Sequence, residues 1–385
     1  MFKFVIVGFV AALASAQSPS WGIEQNVMGA IGTSVSFVDQ NRGYYPMNSN
    51  GENTILETND GGLNWNDTGK ANAVMFLGSD AKGDNIVASS IFGAIYSTDG
   101  GKTFSTGNTL TGGQGVRFSD SQVWMTSGSN YVMSSSTEGW FWSQHSIPQL
   151  QTLSRYIAAP SDSVIYVTAG EWPQQPNQGS TGSYPFSARW TLTPHAASDQ
   201  ISAIPTFGKL SSKHAEAIGA STSYKMQIVK SADGGNTWTS QFFSDSLPLY
   251  FNGIDCYDAE HCCAAAEGDY VAVYCTADGQ NWTQVFSDPS TTLSLTSAAY
   301  VGPNEIWIGG GNLSNIDMYA YLLHSTDGGK TWTVEGTDNW GQYPNDLSFI
   351  SSTRGWASTF NQVQQSGLME FKVWSSTNQG QTFLQ

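Results

Sequence analysis

Ser325–Trp332 reads STDGGKTW, and the chain returns to this phrase six more times. Close copies run over Ser97–Phe104 (STDGGKTF) and Ser231–Trp238 (SADGGNTW). Looser ones are Thr58–Trp65 (TNDGGLNW), Thr276–Trp282 (TADGQNW, one residue shorter), Ser376–Phe383 (STNQGQTF) and Ser135–Trp142 (SSTEGWFW). Strand-forming residues flank the copies, as Met226–Lys230 and Thr239–Phe243 do in one case and Tyr270–Cys275 and Thr283–Phe286 in another. An Asp-Gly-Gly core between such runs is hairpin chemistry, because glycine accepts positive φ and aspartate bonds its own turn. The closing aromatic is expected to fold back over that turn.

A second phrase precedes most copies, an apolar strand, a turn and another strand. It is clearest in Ser36–Tyr45 (SFVDQNRGYY), Gly115–Thr126 (GVRFSDSQVWMT), Ala298–Gly309 and Ser348–Ser358 (SFISSTRGWAS). Each unit therefore reads as four short antiparallel strands, A to D, with the phrase on the C–D turn. Such units repeating every 40 to 50 residues or so make an all-β, seven-bladed β-propeller. The blades are expected over about 33–67, 73–106, 114–146, 152–242, 249–287, 293–336 and 345–385. The gap after the third copy is about twice the others and leaves room for an eighth blade or an insertion. Trp172–Phe186 (WPQQPNQGSTGSYPF) has loop composition, which favours seven blades with an insertion over 172–220. Ser20–Val27 (SWGIEQNV) is similar to strands that follow the phrase and is expected to pair with the last blade and close the ring.

The phrase resembles the Asp-box of sialidases, xyloglucanases, sortilin-type receptors and the photosystem II assembly-factor propellers. SFVDQNRGYY and SFISSTRGWA are similar to the paired strands of the assembly-factor group in particular. That resemblance implies the propeller fold and a chaperone-like role towards a membrane complex. It also implies a structural turn away from any ligand, so Asp60, Asp99, Asp233, Asp278 and Asp327 receive no chemistry. A sialidase would need three converging arginines and an F-R-I-P strand. The chain has five arginines, lacks that strand, and places Arg42 and Arg354 at the same point of their repeats, on the turn face.

Met1–Ala16 (MFKFVIVGFVAALASA) reads as a secretory signal peptide cleaved before Gln17, leaving 17–385 as one propeller domain. It is not the transit segment of a plastid protein. No later apolar run is long enough to span a membrane. The expected destination is extracellular, with the lumen or periplasm open. A balance of 31 Asp+Glu against 15 Lys+Arg, net −16, repels phosphate backbones and argues against nucleic acid. An exported chain with four cysteines implies disulfides, expected as Cys256–Cys262 and Cys263–Cys275 within blade five. Asn66, Asn281 and Asn312 head glycosylation sequons. The scattered histidines and the missing phosphate loop point to no metal and no cofactor. Asp255, Asp258, Glu260 and His261 are assigned to a solvated A–B turn.

In a propeller the A–B and C–D turns share one face, and the opposite face is the usual ligand surface. That face receives the blade-four insertion with Trp172, Tyr184, Phe186 and Trp190, the loop Glu335–Asp346 with Trp340 and Tyr343, and Gly309–Tyr319. Aromatics on variable loops of a rigid scaffold suit a glycan or an extended polypeptide. The leading expectation is a non-enzymatic propeller binding a protein or glycan there. The alternative is a glycoside hydrolase of extracellular polysaccharide, using two of Glu171, Glu267, Asp317 and Asp346 at a separation of about 6.5–9.5 Å. A third reading is a structural component of an extracellular matrix or surface.

Overall fold

The computed structural model describes residues 31–48, 53–70, 73, 75–171, 223–312, 319–335, 343–363, 368–376 and 383–384. They form seven antiparallel sheets, one per blade. Blade 1 holds β1 (Ile31–Gly32), β2 (Ser36–Phe37), β3 (Gly43–Asn48), β4 (Thr54–Thr58) and β5 (Asn66–Lys70). Blade 2 holds β6 (Phe76–Lys82), β7 (Asn85–Ser90), β8 (Gly93–Ser97) and β9 (Ser105–Thr106). Blade 3 holds β10 (Val116–Phe118), β11 (Val123–Thr126), β12 (Tyr131–Ser135) and β13 (Ser143–Ser146). In blade 4 these are β14 (Ser154–Ala158), β15 (Ile165–Glu171), β16 (Lys225–Ser231) and β17 (Thr239–Ser244). Blade 5 has β18 (Leu249–Cys256), β19 (Cys262–Gly268), β20 (Val271–Thr276) and β21 (Thr283–Asp288). Blade 6 has β22 (Leu293–Gly302), β23 (Glu305–Asn312), β24 (Tyr319–Ala320), β25 (Leu322–Ser325) and β26 (Thr333–Glu335). Blade 7 closes the series with β27 (Tyr343–Ser351), β28 (Arg354–Val363), β29 (Leu368–Ser376) and β30 (Phe383–Leu384).

First strands of neighbouring blades touch around the ring, and β27 returns to β2. β15 and β16 pair directly from Ile165↔Ser231 to Glu171↔Lys225, so the described strands complete blade 4. Ser20–Val27 lies outside the described residues. The second and third strands have neighbours on both faces, which is why they read as nearly unbroken apolar runs; all six residues of β20 are buried. Fourth strands form the rim, and most of β21 is exposed or half-buried. Apolar side chains cluster between blades rather than in one central core, as where Tyr166 and Ile228 of blade 4 meet Phe251, Ala264 and Trp282 of blade 5.

The repeated phrase sits between the third and fourth strands, and its copies in blades 2, 4 and 6 are built alike. Ser97 Oγ accepts the Gly101 N–H at 2.9 Å and donates to Asp99 at 2.8 Å. Asp99 in turn accepts the Thr103 N–H and hydroxyl. Gly100 and Gly101 adopt φ of 72° and 85°, a region that L side chains enter only with strain. The first glycine also donates to the A–B turn of its own blade: Gly100 to Asp84, Gly234 to Ser163, Gly328 to Asn304. A–B and C–D turns therefore share one face. The turn is also a joint between blades, since Tyr44 Oη, Tyr166 Oη and Trp356 Nε1 each donate to the box carbonyl of the next blade. Arg42 and Arg354 belong to these joints, Arg42 reaching Asp84 and the Gly83 carbonyl and Arg354 the Gly61 carbonyl.

Blade 5 contains two disulfides, Cys256–Cys262 and Cys263–Cys275. The neighbouring acidic cluster divides. Asp258 accepts the Glu260 and His261 N–H groups and the His261 ring within the turn. Asp255, by contrast, lies inside β18 and bonds blade 6, so it is not part of a solvated turn.

Candidate functional site

The ring axis is lined by charged residues that the first strands supply. Asp80 on β6 accepts the Phe118 N–H of blade 3, Asp255 on β18 the Tyr300 N–H of blade 6, and Asp346 on β27 the Val35 N–H of blade 1. Each carboxylate thus fastens its blade to the next. For Asp80 and Asp255 a glycine two residues earlier makes this approach possible: a Cβ on Gly78 would lie 2.2 Å from the Gln114 carbonyl, and one on Gly253 2.5 Å from that of Thr296. Gly115 holds the same relation to blade 4, and two residues on from it comes Arg117. Burial lowers the Arg117 pKa, but the field of Asp80, Asp255 and Asp346 more than offsets it, and the net shift is upward. Burial raises all three aspartates against the pull of Arg117, Asp346 to about 6. A cavity beside Arg117 and Asp346, lined also by Thr33, Ser79, Gln114 and Ser297, amounts to about 30 Å³. That volume takes about two water molecules, far below the several hundred Å³ of a sugar or cofactor pocket.

On the face opposite the boxes, blades 4 to 7 present a connected polar and aromatic mouth. Glu267, at the end of β19 and 3 % exposed, accepts hydrogen bonds from Tyr250 Oη and Ser294 Oγ. Tyr343 Oη donates to Ser294 Oγ at 2.8 Å, joining blade 7 to this chain. Arg155 lies over the Tyr250 ring and donates to Asn252 Oδ1. Tyr224 stacks on Tyr250 with ring centres 6.3 Å apart and bonds Asp269. Beside them Glu171, buried at the end of β15, pairs with Lys225 at 3.5 Å. β15 and β23 also end on this side, and β27 begins there.

Of the residues singled out in the sequence, Trp172, Tyr184, Phe186, Trp190, Asp317 and Trp340 lie outside the described residues. Tyr343 and Asp346 are not loop residues: both belong to β27, and Tyr343 is 2 % exposed. Glu171 and Glu267 reach the mouth, whereas Asp346 lies on the axis. Asn66 is exposed at the start of β5, Asn281 donates its amide to Asp278, and Asn312 ends β23. Sequence reasoning missed Asp80, Arg117, Arg155, Tyr224 and Tyr250. A signal for two of them was present, since Gly78-Ser-Asp80, Gly115-Val-Arg117 and Gly253-Ile-Asp255 place one charge at the same point of three blades.

Fold and site together define a seven-bladed β-propeller with a small polar cavity near its axis and a polar-aromatic mouth on its box-free face. No family model and no curated protein sequence matches the chain. Among solved structures it is similar to YCF48 bound to D1 peptide, with a TM-score of 0.54 and 14 % identity over 92 % of this chain and 96 % of that one. It is similar also to YCF48 from Cyanidioschyzon merolae, with a TM-score of 0.55 and 14 % identity over 93 % and 98 % of the two chains. A GH74 xyloglucanase from Xanthomonas campestris has a TM-score of 0.48 and 10 % identity over 95 % of this chain and 62 % of that one. The YCF48 likenesses show a shared fold. The xyloglucanase is too distant to support an argument.

Proposed function

We propose that this chain is an exported β-propeller that binds an extended protein segment, or else a glycan, across the box-free face of blades 4 to 7, without catalysis. One observation carries the reading. Every candidate carboxylate among the described residues is committed to a structural partner: Glu267 between Tyr250 and Ser294, Glu171 with Lys225, Asp346 with the Val35 and Leu347 amides. A hydrolase needs one such group free to hold a proton at the scissile bond and another facing a water. A binding face instead needs rigid aromatics, and half-buried Tyr224, stacked on Tyr250 above buried Arg155, supplies one. The peptide held by the YCF48 fold neighbour makes a polypeptide the first ligand to test. Trp172, Tyr184, Trp190 and Trp340 are proposed as the contacts above the mouth, with Tyr343 supporting it from beneath. Two disulfides support an oxidising destination, consistent with Met1–Ala16 as a signal peptide and with glycans on the sequon asparagines. No helix among the described residues is long and apolar enough to cross a membrane.

The test is a peptide and glycan array probed with the mature chain, run beside polysaccharide digests. Binding without turnover that Trp172→Ala, Trp340→Ala or Tyr224→Ala weakens about tenfold, with Tm unchanged, supports the proposal. Sugar released by the wild type and abolished in Glu171→Gln/Asp346→Asn overturns it in favour of a glycoside hydrolase.

A further inference from the structure

Six copies of the box have polar or aliphatic residues in sequence at the two positions before the closing aromatic, such as Lys102-Thr103, Asn236-Thr237 and Lys330-Thr331. In blade 3 those positions are Trp140 and Phe141, 59 % and 51 % exposed. The parts of the turn that serve the fold are retained. Ser135 Oγ accepts the Gly139 N–H at 3.0 Å, Trp142 Nε1 donates to the Gly139 carbonyl at 2.8 Å, and Trp142 is buried. Only the solvent-facing positions have changed. The clasp between aspartate and threonine is gone, with Thr137 in place of the aspartate accepting the Phe141 N–H. Where five of the other boxes carry their first glycine stands Glu138, at φ 58°, the one non-glycine with positive φ among the described residues. Its carboxylate is exposed and accepts a bond from Asn85 of blade 2. The neighbouring loop extends the apolar surface: Asn108 donates to the Trp140 carbonyl and bridges Phe141, and Leu110, two residues on, is 86 % exposed.

We infer that this turn is a second interaction surface, on the box face at blades 2 and 3, and that it takes an arginine-bearing segment of another protein. Exposed aromatics on a rigid turn lose little conformational freedom on binding, and clustered ones mark contact sites. The charge selects the occupant. A tryptophan face attracts a guanidinium, and the Glu138 carboxylate in the same turn pairs with it. A net charge of −16 draws cationic partners and opposes a second copy of this chain, which would bring Glu138 against Glu138. This surface lies opposite the proposed ligand face, so the two readings stand or fall separately.

The experiment measures binding of a short arginine–glycine peptide to the full chain, by tryptophan fluorescence and calorimetry, beside glutamate–glycine and serine–glycine peptides of equal length. The arginine peptide should bind best, and Trp140→Ala should weaken it about tenfold with Tm preserved. Glu138→Gly should also weaken binding while raising Tm, a pairing that mere damage to the fold does not produce. Equal affinity for wild type and Trp140→Ala would reduce the attraction to bulk charge and overturn the proposal. Preference for the neutral peptide, or a wild-type dimer that Trp140→Ala dissociates, would overturn it as well.

Discussion

Asp346 stands where the last blade meets the first, its two oxygens holding the Val35 and Leu347 amides. Burial is the largest influence on it and lifts its pKa from 3.8 to about 6, although Arg117 pulls the other way. A folded pKa above the unfolded one means that the fold binds the proton more tightly. The stabilisation is therefore complete below about pH 4 and is lost as the pH rises through 6. Asp80 and Asp255 shift in the same direction. The box carboxylates act elsewhere: the Thr103 hydroxyl and amide hold Asp99 down to about 2, and those of Thr331 do the same for Asp327. Their contribution is present above the ordinary carboxylate range and disappears only as pH falls through 2. His145 and His324, lowered by burial, oppose Asp346 as pH falls below the ordinary histidine range, so a difference between variants is the clean measurement. Relative to Asp346→Asn, the wild type should lose up to about 3 kcal/mol of stability between pH 4 and 7.5. Urea titrations at the two pH values check this, and parallel stability curves would contradict it.

At the scale of the element, the box is a serine-centred knot whose parts differ in worth. Ser231, 1 % exposed, accepts the Gly235 N–H at 2.8 Å. Ser231→Ala leaves that buried amide unsatisfied and should cost about 1–3 kcal/mol. The Thr237 hydroxyl bonds only the outer oxygen of exposed Asp233, and the backbone bond survives substitution, so Thr237→Val should stay within about 0.5 kcal/mol. Denaturant midpoints for the two variants separate these roles, and equal losses would refute the ranking. The same element explains how much was legible in the sequence. Ser, Asp, two glycines and an aromatic at fixed spacing are a local requirement, so seven copies disclosed seven blades. The axis is not local. Asp346 and Val35 are 311 residues apart, and nothing near Asp346 announces its partner. Pro344, Asn345 and Asp346 have the composition of a loop, yet they lie in β27, because their polar side chains hold another blade's backbone instead of turning their own. The glycine two residues before Asp80, Arg117 and Asp255 was visible, but its meaning depends on a neighbouring strand that only the closed ring supplies.

For the whole molecule the decisive seam is between blades 7 and 1, where β27 meets β2 and the ring closes. Phe37 and Trp356 stack with centroids 3.6 Å apart, Trp356 Nε1 bonds the Gly61 carbonyl at 2.9 Å, and Arg354 lies over the indole. Asn345 reaches the Thr33 carbonyl, and Ser348 accepts the Phe37 N–H. No covalent link spans this joint among the described residues, whereas two disulfides brace blade 5 on the far side of the ring. Closing a loop of some three hundred residues has a large entropic cost, and it returns only when these contacts form together. Opening should therefore begin here. Trp356→Ala removes the stack, the indole bond and the surface under Arg354, and should cost about 3–5 kcal/mol. Its signature is spatial as well as energetic: hydrogen exchange should accelerate first at Val35, Phe37 and the amides of β27, while β19 and β20 keep wild-type protection. Uniform acceleration around all seven blades would mean that the ring unfolds as one unit, and that the seam is not its weakest joint.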